Sequence, residues 1–178
     1  QSLRGLTLGG NLTLLDTEVS LRDFELDGPT QGNLVGLRGA GFKQSSINMV
    51  NAPEFLANLF LTYDLEETGT QASLFYTLRG DTLVSGPSTD AVTVDAAGNP
   101  TAGVFFPSIY ETQFGTLNFT LSQKLGKHIN LKFSAKNLTN PDVETVYRSD
   151  LVPGGDVVKT RSSSGIDFSV SLSGTFEF

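Results

Sequence analysis

Apolar and polar residues alternate along the last thirteen residues of the chain, 166–178, with Gly174 the only gap in the apolar row. A period of two predicts a β-strand with one apolar and one polar face. In a soluble sandwich the apolar face would cover the core, whereas in an outer-membrane barrel it would face lipid and the polar face would line the lumen. The apolar row consists of Ile166, Phe168, Val170, Leu172, Phe176 and Phe178.

Five earlier runs alternate in the same way, so the sequence predicts an all-β chain of about six antiparallel, meandering strands. Each run has about the length that a tilted strand needs to cross a bilayer. The six runs cover residues 4–20, 54–64, 71–84, 110–125, 129–138 and 166–178.

The links between these runs differ in length in a regular way. Two are short, at 66–70 and 126–128, whereas the links at about 21–53, 85–109 and 139–163 are long and rich in Gly and Pro. Bacterial outer-membrane barrels have short periplasmic turns and long outside loops. This pattern favours a transmembrane barrel with its C-terminus in the periplasm of a Gram-negative bacterium and the three long links outside.

The charged residues within the runs all lie on the polar rows, which predicts that they face the lumen. Slipping the fifth run by one residue would move two lysines into lipid, at ~2–4 kcal/mol each near the midplane. A half-exposed soluble strand would also keep charges off its core face, so this placement supports the barrel only together with the links. The predicted lumen-facing charges are Arg79, Lys124, Lys132, Lys136 and Asp167.

Composition argues against a nucleic-acid-binding protein and against a protein with a membrane-spanning helix. The 178 residues include 19 Gly and no Cys, and the net charge is −7. The acidic balance argues against nucleic acid as a partner, since a basic stripe would be expected. No apolar run approaches the ~18 residues of a spanning helix. Because the chain starts at Gln1 without a targeting segment, we expect a mature product or a fragment.

Six strands are too few for a closed barrel of the usual kind. The smallest common barrels have about eight strands, and an open sheet edge in hydrocarbon leaves backbone groups unpaired at several kcal/mol each. We therefore expect either the C-terminal part, residues 1–178, of a larger barrel or one subunit of a shared barrel, and the motifs described next favour the former.

The order of several short motifs resembles the C-terminal part of the TonB-dependent outer-membrane receptors. An Ala-Pro-Glu-Phe segment leads into a strand ending in Tyr-Asp, an Arg-Gly-Asp element follows, and a Lys-Asn-Leu-Thr-Asn element comes before a strand that ends in an aromatic residue. The motifs are Ala52–Leu59, Tyr63–Asp64, Phe75–Asp81, Ile109–Glu111, Lys136–Asn140 and Phe178.

This resemblance implies a barrel of about 22 strands with a plug domain inside it. The plug and its TonB-gripping segment are not in these 178 residues, so the chain would supply barrel wall, outside loops and the closing strand. The whole receptor would import a scarce nutrient, such as an iron chelate, cobalamin or a glycan, with energy from TonB. Outer-membrane lipid and lipopolysaccharide, the rest of the barrel, and the barrel-assembly machinery would be its partners.

Two groups of residues are candidate sites. The terminal row Phe168, Val170, Leu172, Phe176 and Phe178 resembles the signal read by the barrel-assembly machinery, although a final strand facing lipid would look the same. Tyr110, Asn137, Tyr147 and Arg148 are candidate rim contacts to ligand or lipid headgroups. For Asn137, local turn chemistry is the alternative, because Asn often bonds backbone at strand ends.

Enzymatic chemistry has no visible basis in the sequence. The single His128 lies in a short link without Cys or clustered carboxylates nearby, and both metal and triad chemistry need such partners. We expect neither an enzyme nor a cofactor or metal site. The remaining alternatives are a passive porin or structural barrel and a soluble β-sandwich or adhesin.

Overall fold

The computed structural model describes residues 4–20, 46–89, 105–148 and 155–175. These ranges contain only β-strands, all paired antiparallel, and no helix. No helix in these ranges could cross a membrane. The strands are β1 (Leu6–Leu14), β2 (Val19–Ser20), β3 (Ser46–Ile47), β4 (Phe55–Leu65), β5 (Thr70–Arg79), β6 (Thr82–Ser85), β7 (Ser88–Thr89), β8 (Phe105–Phe106), β9 (Ser108–Glu111), β10 (Phe114–Leu125), β11 (Ile129–Lys136), β12 (Val143–Arg148), β13 (Val157–Ser162) and β14 (Asp167–Gly174).

Six of these strands form one sheet in the order β1-β4-β5-β10-β11-β14. The order follows the chain without a crossover, so the sheet is a meander. Tight turns join β4 to β5 and β10 to β11, and Gly69 and Gly126 adopt the positive φ that such turns favour. The six strands agree with the six predicted runs, and the prediction of an all-β antiparallel chain is confirmed.

A second sheet of four short strands, β13-β12-β9-β6, extends the first. Its strands adjoin β14, β11, β10 and β5 in the chain and keep the same neighbour order. Two further two-stranded pairs occur: β2 with β3 extends the β1–β4 connection, and β7 with β8 extends the β5–β10 connection beyond β6 and β9. These strands lie in the long links or next to them, so three hairpins continue beyond the six-stranded sheet at the end opposite the tight turns.

The described parts of the long links therefore contain strands beyond the six predicted runs. The link at 139–163 contains β12 and β13, and two predicted strands are interrupted, at Gly80–Asp81 and at Thr112–Gln113. The pairings of β12 with β13 and of β6 with β9 each contain a register shift. Such irregularities bend a strand and re-aim its side chains within the second sheet, whereas the breaks at Gly80–Asp81 and Thr112–Gln113 mark where the first sheet ends and the second begins.

The register of the six-stranded sheet sorts side chains into one apolar and one polar face. Across the apolar face, Leu8 pairs with Leu61, Leu61 with Leu74 and Leu74 with Phe119. One residue further along β4, a row of hydroxyls crosses all six strands. That row is Thr7, Thr62, Ser73, Thr120, Ser134 and Ser169.

The apolar face of the six-stranded sheet is uncovered along its edge strands β1 and β14. Leu8 is 74% exposed and Val170 is 70% exposed on the apolar face. The few buried side chains lie chiefly in the second sheet or at its junction with the first, as Leu83, Thr82 and Val146 show.

Candidate functional site

The densest polar cluster of the described residues surrounds Arg148 at the end of β12. Its Nε and Nη2 donate to both carboxylate oxygens of Asp156 at 2.6–3.1 Å, and Nη2 also donates to Oδ2 of Asp81 at 2.8 Å. The guanidinium carbon lies 4.5 Å from the centroid of the Tyr110 ring, a cation–π distance. One arginine thus joins β9, β12, the residue before β13 and the corner between β5 and β6.

The pKa values of three groups in this cluster are shifted by their neighbours or by burial. Hydrogen bonding to Asp156 raises the pKa of the Arg148 guanidinium above its ordinary value. The same hydrogen bond lowers the pKa of the Asp156 carboxyl. Burial raises the pKa of the Tyr110 phenol, and the neighbouring Arg148 cation opposes that rise. Near neutral pH Arg148 is therefore a cation, Asp156 a carboxylate and Tyr110 a neutral phenol.

The corner between β5 and β6 is further fixed by Asp81 and Arg79. The backbone N–H of Gln113 donates to Oδ1 of Asp81 at 2.7 Å. Nη1 of Arg79 lies 3.0 Å from Oε1 of Glu111, and its Nε donates to Oγ1 of Thr82. These bonds tie the corner between β5 and β6 to β9 and to the segment before β10, so the cluster holds these strands together.

Of the four predicted rim residues, the structure brings Tyr110 and Arg148 together and leaves the other two apart. Tyr147 has Lys159 as its cation–π neighbour, with Nζ 5.5 Å from the ring centroid. Since Tyr147 and Arg148 are successive residues of β12, their side chains point to opposite faces.

Asn137 lies in the Lys-Asn-Leu-Thr-Asn element that follows β11, with φ at 58°. Its Nδ2 donates to the carbonyl oxygen of Gly165, and its backbone N–H donates to Oδ1 of Asn118. Its Oδ1 is buried without a hydrogen-bond partner among the described residues. The side chain thus bonds the segment before β14 rather than its own backbone.

The five predicted lumen-facing charges share the polar face of the six-stranded sheet. Lys132 pairs with Ser122 and Ser171, Lys124 pairs with Asn130, and Lys136 pairs with Asp167. Arg79, at the end of β5, pairs with Phe114. Whether this face lines a lumen remains a prediction.

The terminal strand β14 pairs on one side only among the described residues, with β11. Phe168, Val170 and Leu172 all point to the exposed apolar face. Ring centroids of Phe168 and Phe133 are 6.2 Å apart, and those of Phe133 and Phe119 are 6.3 Å apart, so an aromatic ladder crosses three strands of that face. Phe176 and Phe178 lie outside the described residues.

His128 bonds the end of the terminal strand. Its Nδ1 lies 3.0 Å from the carbonyl oxygen of Thr175, and the Thr175 N–H donates to the His128 carbonyl. In the part of the chain that the structure describes, no group of three or more His, Asp or Glu side chains could hold a metal ion.

The comparisons with known proteins add nothing to these observations. No family model, curated protein or solved structure matches the chain. The functional proposal therefore depends on the fold, on the surface chemistry and on the motif resemblance.

Three residues that bond the predicted site residues were not predicted themselves. Asp81 and Asp156 bond Arg148, and Gly165 bonds Asn137. Asp81 had a usable signal, because it ends the Arg-Gly-Asp element and interrupts an otherwise regular strand. Asp156 follows two glycines in a long link and Gly165 follows three serines, and nothing local distinguishes them from ordinary turn residues.

Proposed function

We propose that this chain is part of the wall of an outer-membrane β-barrel receptor that imports a scarce nutrient with energy from TonB. The observation that carries the proposal is the continuous, uncovered apolar face of the six-stranded sheet. Five of its leucines, Leu8, Leu12, Leu14, Leu59 and Leu172, are more than half exposed. Monomeric soluble proteins rarely expose apolar patches of this extent, whereas a barrel wall buries such a face in lipid.

The sheet edges support a larger barrel. Among the described residues, β1 and β14 each have a single neighbour, and an unpaired edge in hydrocarbon costs several kcal/mol per backbone group. Further strands of the same barrel would remove both edges. The soluble-sandwich alternative lacks support, because the apolar side chains of β1 and β14, which a second layer would cover, are exposed.

The second sheet supports a receptor whose outer end carries ordered strands. It extends the hairpins at the end opposite the tight turns, and the Arg148 cluster holds three of its strands in place. Binding residues are often carried on segments positioned by a rigid scaffold. The choice of a TonB-dependent receptor over a passive porin depends on the motif resemblance.

A pair of arginine substitutions tests the lipid-facing assignment. Leu61 and Thr62 are successive residues near the middle of β4 and lie on opposite faces. In the full-length protein, Leu61→Arg should sharply reduce the heat-modifiable, membrane-inserted form, since a cation near the bilayer midplane costs ~2–4 kcal/mol. Thr62→Arg should assemble normally. Equal effects of both substitutions, or release of the wild-type protein by a carbonate wash, would contradict the barrel.

Energy dependence separates the receptor from the porin. Uptake of a labelled ferric chelate, cobalamin or maltohexaose by cells that produce the full-length protein should disappear when TonB is deleted. A passive channel would continue to admit solute in the TonB-deficient strain. That result would contradict the receptor proposal and favour the passive porin.

A further inference from the structure

Two phenylalanines lie side by side near the middle of the polar face of the six-stranded sheet, apart from Leu56 and Phe114 at its end. Phe60 of β4 and Phe75 of β5 are directly paired, with ring centroids 6.4 Å apart and an interplanar angle of 32°. Phe60 is 38% exposed and Phe75 is 43% exposed. These two rings point away from the apolar face, so burial of that face in lipid or in a core does not account for them.

Gly9 allows the Phe60 ring to lie over the neighbouring strand. Gly9 pairs with Phe60, and a Cβ added at Gly9 would lie 2.3 Å from Cζ of Phe60. The ring therefore occupies the space above the β1 backbone that a side chain would fill. With Phe75 on its other side, Phe60 completes an aromatic surface that spans three strands, which we term the Phe60–Phe75 platform.

The rows that flank this platform on β1, β4 and β5 contain hydrogen-bonding side chains without charge. In one row, Asn58 donates to Asn11 and accepts from Thr77, both at 2.9 Å. In the other row, the hydroxyls of Thr62 and Ser73 are 3.1 Å apart. Beyond Phe75, the next strand presents Asn118 in the same register. The platform is thus bordered by amides and hydroxyls whose positions are fixed by their mutual bonds.

We infer that the Phe60–Phe75 platform is a binding site for a neutral carbohydrate. The C–H faces of pyranose rings stack on aromatic rings, while amide and hydroxyl side chains exchange hydrogen bonds with the sugar hydroxyls. An anionic chelate or phosphate would need charge-assisted partners, and the flanking rows supply none. The inference deepens the proposed function, on which it depends for a role in transport, by naming the substrate class.

Saturation-transfer NMR on the purified full-length protein in detergent tests this inference. The probes are maltohexaose, cellohexaose and laminarihexaose, with hexagalacturonate as the charged comparison. Irradiation of aromatic protons should transfer saturation to a neutral hexasaccharide. Phe60→Leu and Phe75→Leu keep an apolar side chain but remove the ring, and each should weaken binding about tenfold, as for an aromatic anchor in other interfaces.

The matched control is Leu59→Ala, since Leu59 neighbours Phe60 on β4 and lies on the opposite face. This variant should bind the neutral hexasaccharide with unchanged affinity. Gly9→Ala should weaken binding, because its methyl group displaces the Phe60 ring. Binding of none of the neutral hexasaccharides, preference for hexagalacturonate, or equal weakening by Leu59→Ala would each overturn the inference.

Failure of this inference and failure of the proposed function are distinguishable. A protein that assembles as a barrel and shows TonB-dependent uptake, yet binds no neutral hexasaccharide, would overturn only the carbohydrate site. A protein that a carbonate wash releases from membranes would overturn the barrel, whereas ring-dependent hexasaccharide binding would still support the site on the exposed polar face.

Discussion

The Nδ2 of Asn137 donates a 2.7 Å hydrogen bond to the carbonyl oxygen of Gly165, 28 positions along the chain. The N–H of the same glycine donates to Oδ1 of Asn140 at 2.9 Å. All three residues have positive φ. The corner between β11 and β12 is thereby fixed against the corner between β13 and β14, where the six-stranded sheet passes into the second sheet.

Substitutions of Asn137 should separate its backbone role from its side-chain role. Asn137→Gly keeps the left-handed backbone but loses the bond to Gly165, at about 1 kcal/mol. Asn137→Ala loses the same bond and also strains the backbone, at about 1–2 kcal/mol more. Urea unfolding in detergent, followed by circular dichroism, should rank stability as wild type, then Gly, then Ala. Equal stability of the two variants would exclude a backbone contribution.

Arg148→Lys should loosen the second sheet although the charge is kept. A lysine ammonium is a point donor and cannot hold Asp156 and Asp81 in a planar fork. We expect backbone amides of β12 and β13 to exchange hydrogen about tenfold faster, measured by mass spectrometry. Arg161→Lys is the control, because Arg161 is 59% exposed and exposed ion pairs contribute little. The assignment is wrong if both substitutions accelerate exchange equally.

The stabilising effect of Asp156 should disappear in acid. Its pKa is lowered by the hydrogen bond from Arg148, so the folded carboxyl stays ionised below the ordinary Asp value of about 3.9. The stability that it contributes is present above that value and is lost as pH falls through the lowered folded pKa. Arg148 stays charged and the Tyr110 phenol stays neutral over this range.

The comparison that tests this pH dependence is wild type against Asp156→Asn. Above about pH 5 the wild type should be more stable by about 1 kcal/mol, in the range of a partly exposed, bidentate ion pair. The difference should shrink below about pH 4. A difference that persists unchanged at pH 2 would show that the amide, not the loss of charge, perturbs the site.

Clean alternation made the six-stranded sheet predictable. Where polar and apolar residues alternate, as around Leu131 and Lys132, a one-residue slip exchanges the faces, so the face of each side chain follows from the sequence. The segments of β12 and β13 mix charges and apolar residues and lie beside Pro and Gly, and the alternation is lost there. Arg148 of β12 also bonds Asp81, 67 positions earlier, and local periodicity does not encode a contact of that separation.

Two of the motifs that carry the family resemblance meet in the structure. The Gly80 N–H donates to the Phe55 carbonyl at 2.9 Å, and the Glu54 N–H donates to the Asp81 carbonyl at 3.0 Å. Gly80 is buried beneath the Phe55 ring, and a Cβ added there would lie 2.6 Å from Cδ1 of that ring and 3.1 Å from the Phe55 backbone nitrogen. The absence of a side chain at Gly80 lets the two motifs approach.

Gly80→Ala should therefore destabilise the protein by about 1–3 kcal/mol, the usual cost of overpacking. Phe55→Ala removes the ring that the new methyl group would meet, so the double variant should be less destabilised than the sum of the single variants. Gly86→Ala is the control, because a Cβ at Gly86 meets only the flexible end of Ile47 at 3.0 Å. Strictly additive effects in urea unfolding would show that the Phe55 ring does not determine the need for glycine at position 80.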